Sequence, residues 1–281
     1  MSNEAPLRKL SEGQKSEETG PGTPPTPGIG LGGGMYRILY RVGEPFASVG
    51  HGDLIRAFYQ SFQEAGLPVT MSGRNTPRPK VGFGPPLPTG STSAGEYFDL
   101  DLERGVHDLI ERLNAVLPDG LEILSAERID SKTEALSSLV GSAEYELAIP
   151  AEIMPHQDVK NRLARFAGER IWQVQRTTPK GKERTINLKR AIVRWSLAPT
   201  ERGSMVKITA KLGDPDGHNA NPALILSGLF RFSEEQAACV SVRRTEMFDA
   251  NGQPLSRMIW RRKRTRQTHS NSLEFCRYLD R

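Results

Sequence analysis

Cysteine is nearly missing: Cys239 and Cys276 are the only two in 281 residues. Two thiols cannot build a disulfide scaffold. A cysteine-ligated iron–sulfur cluster wants about three or four thiolates, so none is expected within this chain. Long apolar runs are missing as well. Nothing approaches the roughly 18 apolar residues of a membrane helix. The first fifteen residues hold no apolar h-region, so no secretory signal is expected. The chain therefore reads as cytoplasmic, with both thiols reduced. Also lacking are a Gly-x-Ser-x-Gly elbow, a Walker loop and a dinucleotide fingerprint. Gly30-Leu31-Gly32-Gly33-Gly34 precedes a strand pattern instead of following one and reads as linker. His107, His156, His218 and His269 are too scattered for a metal-ligand pattern. No metal or cofactor is expected.

What is present is a polar, globular composition with an uneven charge. Hydrophobic residues make up 37%, charged residues 25%, and the mean hydropathy is -0.48. The net charge of +5 is not spread evenly. Residues 1–34 carry three basic and four acidic side chains among eight Gly and five Pro, and read as a disordered tail. Residues 35–130 hold nine basic and thirteen acidic residues, net -4. Residues 142–253 hold seventeen basic and thirteen acidic, net +4. The tail 254–281 carries eight basic and two acidic, net +6, with a dense Arg257–Arg266 run. Two halves of opposite sign, each near ordinary domain size, place a boundary in 131–141.

Periodicity organises both halves. Tyr36, Ile38, Tyr40 and Val42 alternate as a strand; Leu54, Phe58, Phe62 and Ala65 predict a helix over 53–65, capped by Asp53 and stopped by Gly66. A short second strand is expected at 67–71, a loop at 72–80 and an extended piece at 81–83. Phe98, Leu100 and Leu102 alternate with Tyr97, Asp99, Asp101 and Glu103, an acidic row read as a solvated sheet face. A helix over 105–117 and a strand over 121–129 complete a β-α-β-β-α-β order. The second half repeats it: strand 143–149, helix 157–166, a hairpin of 172–177 and 185–197 about Pro179-Lys180-Gly181-Lys182, an extra strand at 204–212, a helix from Pro222 behind an Asn221 cap, and a last strand at 239–247. The expected fold class is α+β: two tandem ferredoxin-like domains, 35–130 and 142–253, after a disordered tail.

In such a unit the first helix starts at the end where the loop after the second strand lies. Gly50-His51-Gly52-Asp53 is therefore expected to face residues 72–80. His51, Ser72, Arg74, Arg78 and Lys80 are the candidate phosphate- or carboxylate-binding set, aided by the helix N-terminus. His51 is the candidate acid–base residue. In the second half, 160–194 carries eleven basic residues against Glu169 and Glu183. Arg176, Lys180, Lys182, Arg184 and Arg190 gather about the hairpin, with Trp172 and Trp195 near in sequence. Cations that displace counterions beside aromatics that stack on bases suit RNA. Arg261, Arg262, Lys263 and Arg264 in the tail are the second candidate RNA-binding group.

The first half also resembles a known family. His51-Gly52-Asp53-Leu54, Ala65-Gly66-Leu67-Pro68, Ser72, Pro77-Arg78-Pro79-Lys80, Pro86-Leu87-Pro88-Thr89-Gly90 and Gly95-Glu96-Tyr97 are similar to the radical SAM-linked family, a bacterial domain-of-unknown-function family. The likeness continues more weakly from Gln175 to Leu197 and at Arg244-Thr245-Glu246. Arg74-Asn75 and Gly50 depart from its pattern, which has Gly-Phe and Ser there. The resemblance implies a radical SAM protein or a ribonuclease G-like protein as partner; it names a family and not an activity. The expected function is a non-catalytic module for RNA, ribosomal or transfer. The alternatives are an accessory subunit docking a radical SAM enzyme, and an RNA-processing or RNA-modifying enzyme using His51.

Overall fold

A computed structural model of the chain describes residues 32–177 and 181–257. Of the sequence expectations, the tail through Leu31, Lys180 at the hairpin turn, and Arg261, Arg262, Lys263 and Arg264 lie outside these residues. The described fold is α+β, built on a mostly antiparallel sheet.

In the first half, β1 (Gly32–Val42) turns Tyr36, Ile38, Tyr40 and Val42 into one core. The short α1 (Glu44–Ala47) follows. Then α2 (His51–Glu64) lays Leu54, Phe58 and Phe62 on that core. Gly66, at φ 59, ends it in the left-handed region that only glycine enters freely. A two-residue hairpin, β2 (Met71–Ser72) and β3 (Arg78–Pro79), leads into β4 (Val81–Phe83). β5 (Ser91–Arg104), α3 (Leu109–Asn114) and β6 (Leu121–Arg128) complete the half. The linking α4 (Leu136–Leu139) opens directly into β7 (Val140–Pro150).

In the second half, α5 (His156–Gly168) buries Val159, Leu163 and Phe166. β8 (Gln173–Thr177) and β9 (Glu183–Asn187) pair only with each other. After α6 (Leu188–Ala191) come β10 (Ile192–Thr200) and β11 (Gly203–Lys211). Asn221 caps α7 (Pro222–Ile225) through Leu224 N–H at 2.9 Å. α7 runs into a π-helical turn, Leu226–Phe230. α8 (Glu234–Ala238) and β12 (Ser241–Asp249) close the described fold.

The main sheet runs β10-β11-β7-β12-β5-β1-β6, with β4 also on β5. One pairing is parallel: Val242, Arg243 and Arg244 of β12 lie against Ser91, Thr92 and Ser93 of β5. That pairing makes one sheet of the two halves. Leu39 and Tyr97 of the first half pack into the second core. Residues 131–141 are not an open break, because Leu136 and Val140 are buried there and Arg37 donates to the Glu134 carbonyl at 3.0 Å.

Four local expectations are corrected. Gly32 and Gly34, placed in the tail, are strand residues opposite Arg104 and Leu102. Asp53 is not the cap of α2: Gly50 is, and Asp53 sits in the first turn, bound to Arg56. The second strand is interrupted: residues 68–70 bond to Asp101–Glu103 of β5, the β2–β3 hairpin intervenes, and β4 continues the pairing at Phe98–Leu100. The expected 185–197 strand is cut in two, because Asn187 Oδ1 accepts from the Lys189 N–H at 3.1 Å and turns the chain into α6. The insertion is therefore the β8–β9 hairpin, and residues 203–211 are no extra strand but an inner strand of the main sheet, between β10 and β7.

Candidate nucleic-acid interface

The first-half set is joined only in part: Ser72 and Arg78 share the β2–β3 hairpin, and among the described residues no hydrogen bond or ion pair ties His51 to it. β1 ends where Val42 meets Ser93, whereas the β2–β3 hairpin precedes β4 and lies toward Asp101. His51 itself packs on Phe83, opposite Phe98, three β5 residues from Asp101, about 10 Å at the usual strand rise. The shared-end argument assumed a strand ending at 71; with the pairing resumed in β4, the loop falls within the strand instead of at its exit. His51 packs edge-on against Phe83 at 6.1 Å. Its buried Nδ1 has no partner, and burial lowers its pKa from the ordinary value of 6.5. Among the described residues no hydrogen bond or ion pair joins it to Ser72, Arg74, Arg78 or Lys80. Ser72 donates to the Arg78 carbonyl at 3.3 Å, closing the hairpin, and Arg74 and Arg78 are exposed on it. Lys80 is spent on Asp101 at 2.6 Å.

The acidic row is not a solvated face. Tyr97 is buried, Asp99 takes two bonds from Arg37 at 2.8 and 2.9 Å, and Asp101 holds Lys80. The fragments of family likeness meet elsewhere, at the β12–β5 seam. Arg244, 1% exposed, donates to both carboxylate oxygens of Glu96 (3.1 and 2.9 Å), to the Pro85 and Pro86 carbonyls (3.0 and 2.8 Å) and to the Tyr145 hydroxyl (3.1 Å). Burial pushes the Glu96 carboxyl above its ordinary value, and the Arg244 charge pulls against that. These residues hold the seam together.

The hairpin cations are partly used by the fold. Arg176 donates to Asn219 Oδ1 at 3.2 Å and Arg190 pairs with Asp216. Lys189 closes the end of α5 through the Phe166 and Ala167 carbonyls. Lys182 and Arg184 are exposed on β9 and its turn. Trp195 lies on the edge strand β10, away from Trp172.

Beside the hairpin is a cation cluster that the sequence reading did not single out. Arg162 and Arg165 lie one turn apart on α5, and Arg231 ends the π turn. Burial first, then the charges of Arg231 and Arg165, lower the Arg162 pKa. Arg165 and Arg231 line one cleft, and Arg162 feels the charge of both. Opposing them directly is Glu169, 3.9 Å from Arg165. Arg231 has φ 62, the one non-glycine residue in the left-handed region among the described residues. Arg165 lies 5.8 Å from the Trp172 ring centroid. Trp172 is locked: its N–H donates to Asn187 Oδ1 (3.1 Å), its carbonyl accepts from Leu188 (2.8 Å), and its indole N–H donates to the Gly228 carbonyl (3.0 Å). A cleft of about 530 Å³ lies here, lined by Arg165, Trp172, Gln173, Val174, Gly228 and Arg231 among others. The two α5 arginines were legible as members of the basic segment. Arg231, 60-odd residues later, carried no local signal.

A family described as "Uncharacterized protein conserved in bacteria (DUF2344)" matches residues 35–222. No curated protein matches the chain. Among solved structures, one titled "Crystal Structure of an Unknown Protein from Galdieria sulphuraria" is 12% identical, with 78% of this chain and 99% of that chain covered, at a TM-score of 0.19. That likeness is too loose to bear on the fold.

Proposed function

The chain belongs to this family of uncharacterised bacterial proteins, and from that premise we propose that it is a non-catalytic RNA-binding module. The observation that carries the reading is the meeting of Arg165 and Arg231 in one cleft beside a fixed indole, with Arg162 within range of their charge. Folding brings three like charges together against one carboxylate, and a phosphodiester relieves that repulsion while releasing its own counterions. Lys182 and Arg184 extend the basic surface along the hairpin. His51 has no hydrogen-bonded acid–base partner among the described residues, so binding accounts for the site better than catalysis does. Ribosomal or transfer RNA is the intended class of ligand.

The sheet order supports a finer reading of the architecture. Taken alone, β4-β5-β1-β6 and β10-β11-β7-β12 each give the antiparallel order of a split β-α-β unit. We read the chain as two ferredoxin-like units fused through β5 and β12.

The test is a salt titration of single-stranded RNA binding by the full chain and by Arg162→Ala/Arg231→Ala. Each lost phosphate contact lowers the slope of log K against log salt by about 0.7, so the double variant is expected to lose about 1.4. Equal, flat slopes would refute RNA binding. A second reading, docking to a radical SAM or ribonuclease G-like protein, has in its favour the open edge strand β10, where Val193 is 58% and Trp195 36% exposed. Co-purification of the two proteins in the absence of RNA binding would put that reading first.

A further inference from the structure

We propose that the cleft between α5, β8 and the π turn receives one unpaired nucleobase, with its phosphate on Arg231 and Arg165; this rests on the RNA reading and narrows it to unpaired strands. The walls of the cleft match the three parts of a nucleotide. The first part is a flat apolar face. Ile171, 61% exposed, is the most exposed large hydrophobic side chain among the described residues, and it lines this cleft next to Trp172. An apolar group open to water beside an immobilised indole is the surface on which a base loses hydration at little cost in ordering, because the indole is already held by three hydrogen bonds and by the Phe166 edge at 5.5 Å.

The second part is a hydrogen-bonding edge. Gln173 presents an amide with no hydrogen-bond partner among the described residues, and Gln175 shares its Oε1 with Thr185 alone. An amide offers both a donor and an acceptor, which is what a base edge presents in return. The third part is the anion. Arg165 and Arg231 line the cleft together with one carboxylate, Glu169, 3.9 Å from Arg165, which a phosphate would displace. The volume of about 530 Å³ is within the range of small-ligand pockets.

The geometry that shapes the cleft is costly to hold. A side chain at Gly228 would lie 2.6 Å from Val174 Cγ1, so only glycine lets the π turn approach β8 this closely. Arg231 then leaves that turn in the left-handed region. π turns and left-handed non-glycine residues concentrate at functional sites. A base stacked inside a duplex has both faces and its pairing edge occupied and cannot enter. A splayed base from a single strand can.

The other cleft of similar size, about 520 Å³ at the seam, mixes Arg41 and Arg243 with Glu44, Glu122 and Glu146. There carboxylates outnumber the cations, whereas the α5 cleft sets two arginines against Glu169 alone.

The experiment measures binding of the full chain to a short single-stranded RNA, the same sequence in single-stranded DNA, and the RNA duplex. A second single-stranded RNA carries an internal 2-aminopurine. The expected result is single-strand binding about tenfold tighter than duplex binding, with quenching of 2-aminopurine as it stacks. Ile171→Ser and Arg231→Gly are each expected to weaken single-strand binding about fivefold and to leave duplex binding in place. Both positions are exposed, and glycine suits the Arg231 backbone, so each variant should keep the fold; circular dichroism checks this. DNA bound as tightly as RNA would show that base and phosphate suffice, and weaker DNA binding would add a 2′-hydroxyl contact. Duplex and single strand bound alike, or variants indistinguishable from the parent, would overturn the cleft and leave RNA binding standing. Failure of every nucleic acid to bind would overturn both.

Discussion

Arg244 shows how much one buried charge organises. Its guanidinium answers five oxygens drawn from β5, β7 and the loop before β5, and Glu96 is the only carboxylate among them. Removing one member leaves the other charge buried and unpaired, at a cost of about 3–5 kcal/mol. Arg244→Met and Glu96→Leu are each expected to lower stability by that much in urea titration. The double variant Arg244→Met/Glu96→Leu is expected to recover a large part, because the charges leave together. Single losses that simply add would show that the pair is not coupled. Arg165 and Arg231 are the opposite case: like charges that the fold brings to one cleft and leaves exposed, beside a half-buried Arg162.

At the scale of elements, the β8–β9 hairpin and the π turn act as one unit. The hairpin is tied down at Trp172 and Leu188, and the turn holds the Trp172 indole through Gly228. Gly228→Ala puts a methyl 2.6 Å from Val174 Cγ1. Overpacking of this kind costs about 1–3 kcal/mol, and the turn has to move away from β8 to admit it. The expected outcome is a lower Tm together with a change in Trp172 fluorescence and weaker single-strand binding. A Tm change with RNA affinity intact would separate the turn from the interface. The π turn itself had no clear sign in the sequence. Asn221 and Pro222 announced the helix start, but nothing local distinguished 226–230 from an ordinary continuation.

At the scale of the molecule, the two halves share a sheet and a core. Leu39 and Tyr97 pack with the second half, and the three-residue parallel pairing sits over the buried Arg244–Glu96 pair. Scanning calorimetry is expected to show one cooperative transition, with calorimetric and van't Hoff enthalpies equal. Two separated transitions would show that 35–130 and 142–253 unfold independently. The alternating residues of β1, β5, β7 and β12 and the apolar stripes of α2 and α5 were legible from the order of side chains alone. Those periods arise from local backbone geometry. So was the basic character of the second half, which is a matter of counting. What the order of residues could not decide was which extended pieces pair. The interruption of the second strand by the β2–β3 hairpin shows only in its pairing with β5, further along the chain, whereas the break in 185–197 is made locally by the Asn187 side chain. Packing likewise spent Lys80 on Asp101 and brought Arg231 into the cleft with Trp172, because partners in a sheet or a cleft are selected across the whole fold and not by spacing along the chain.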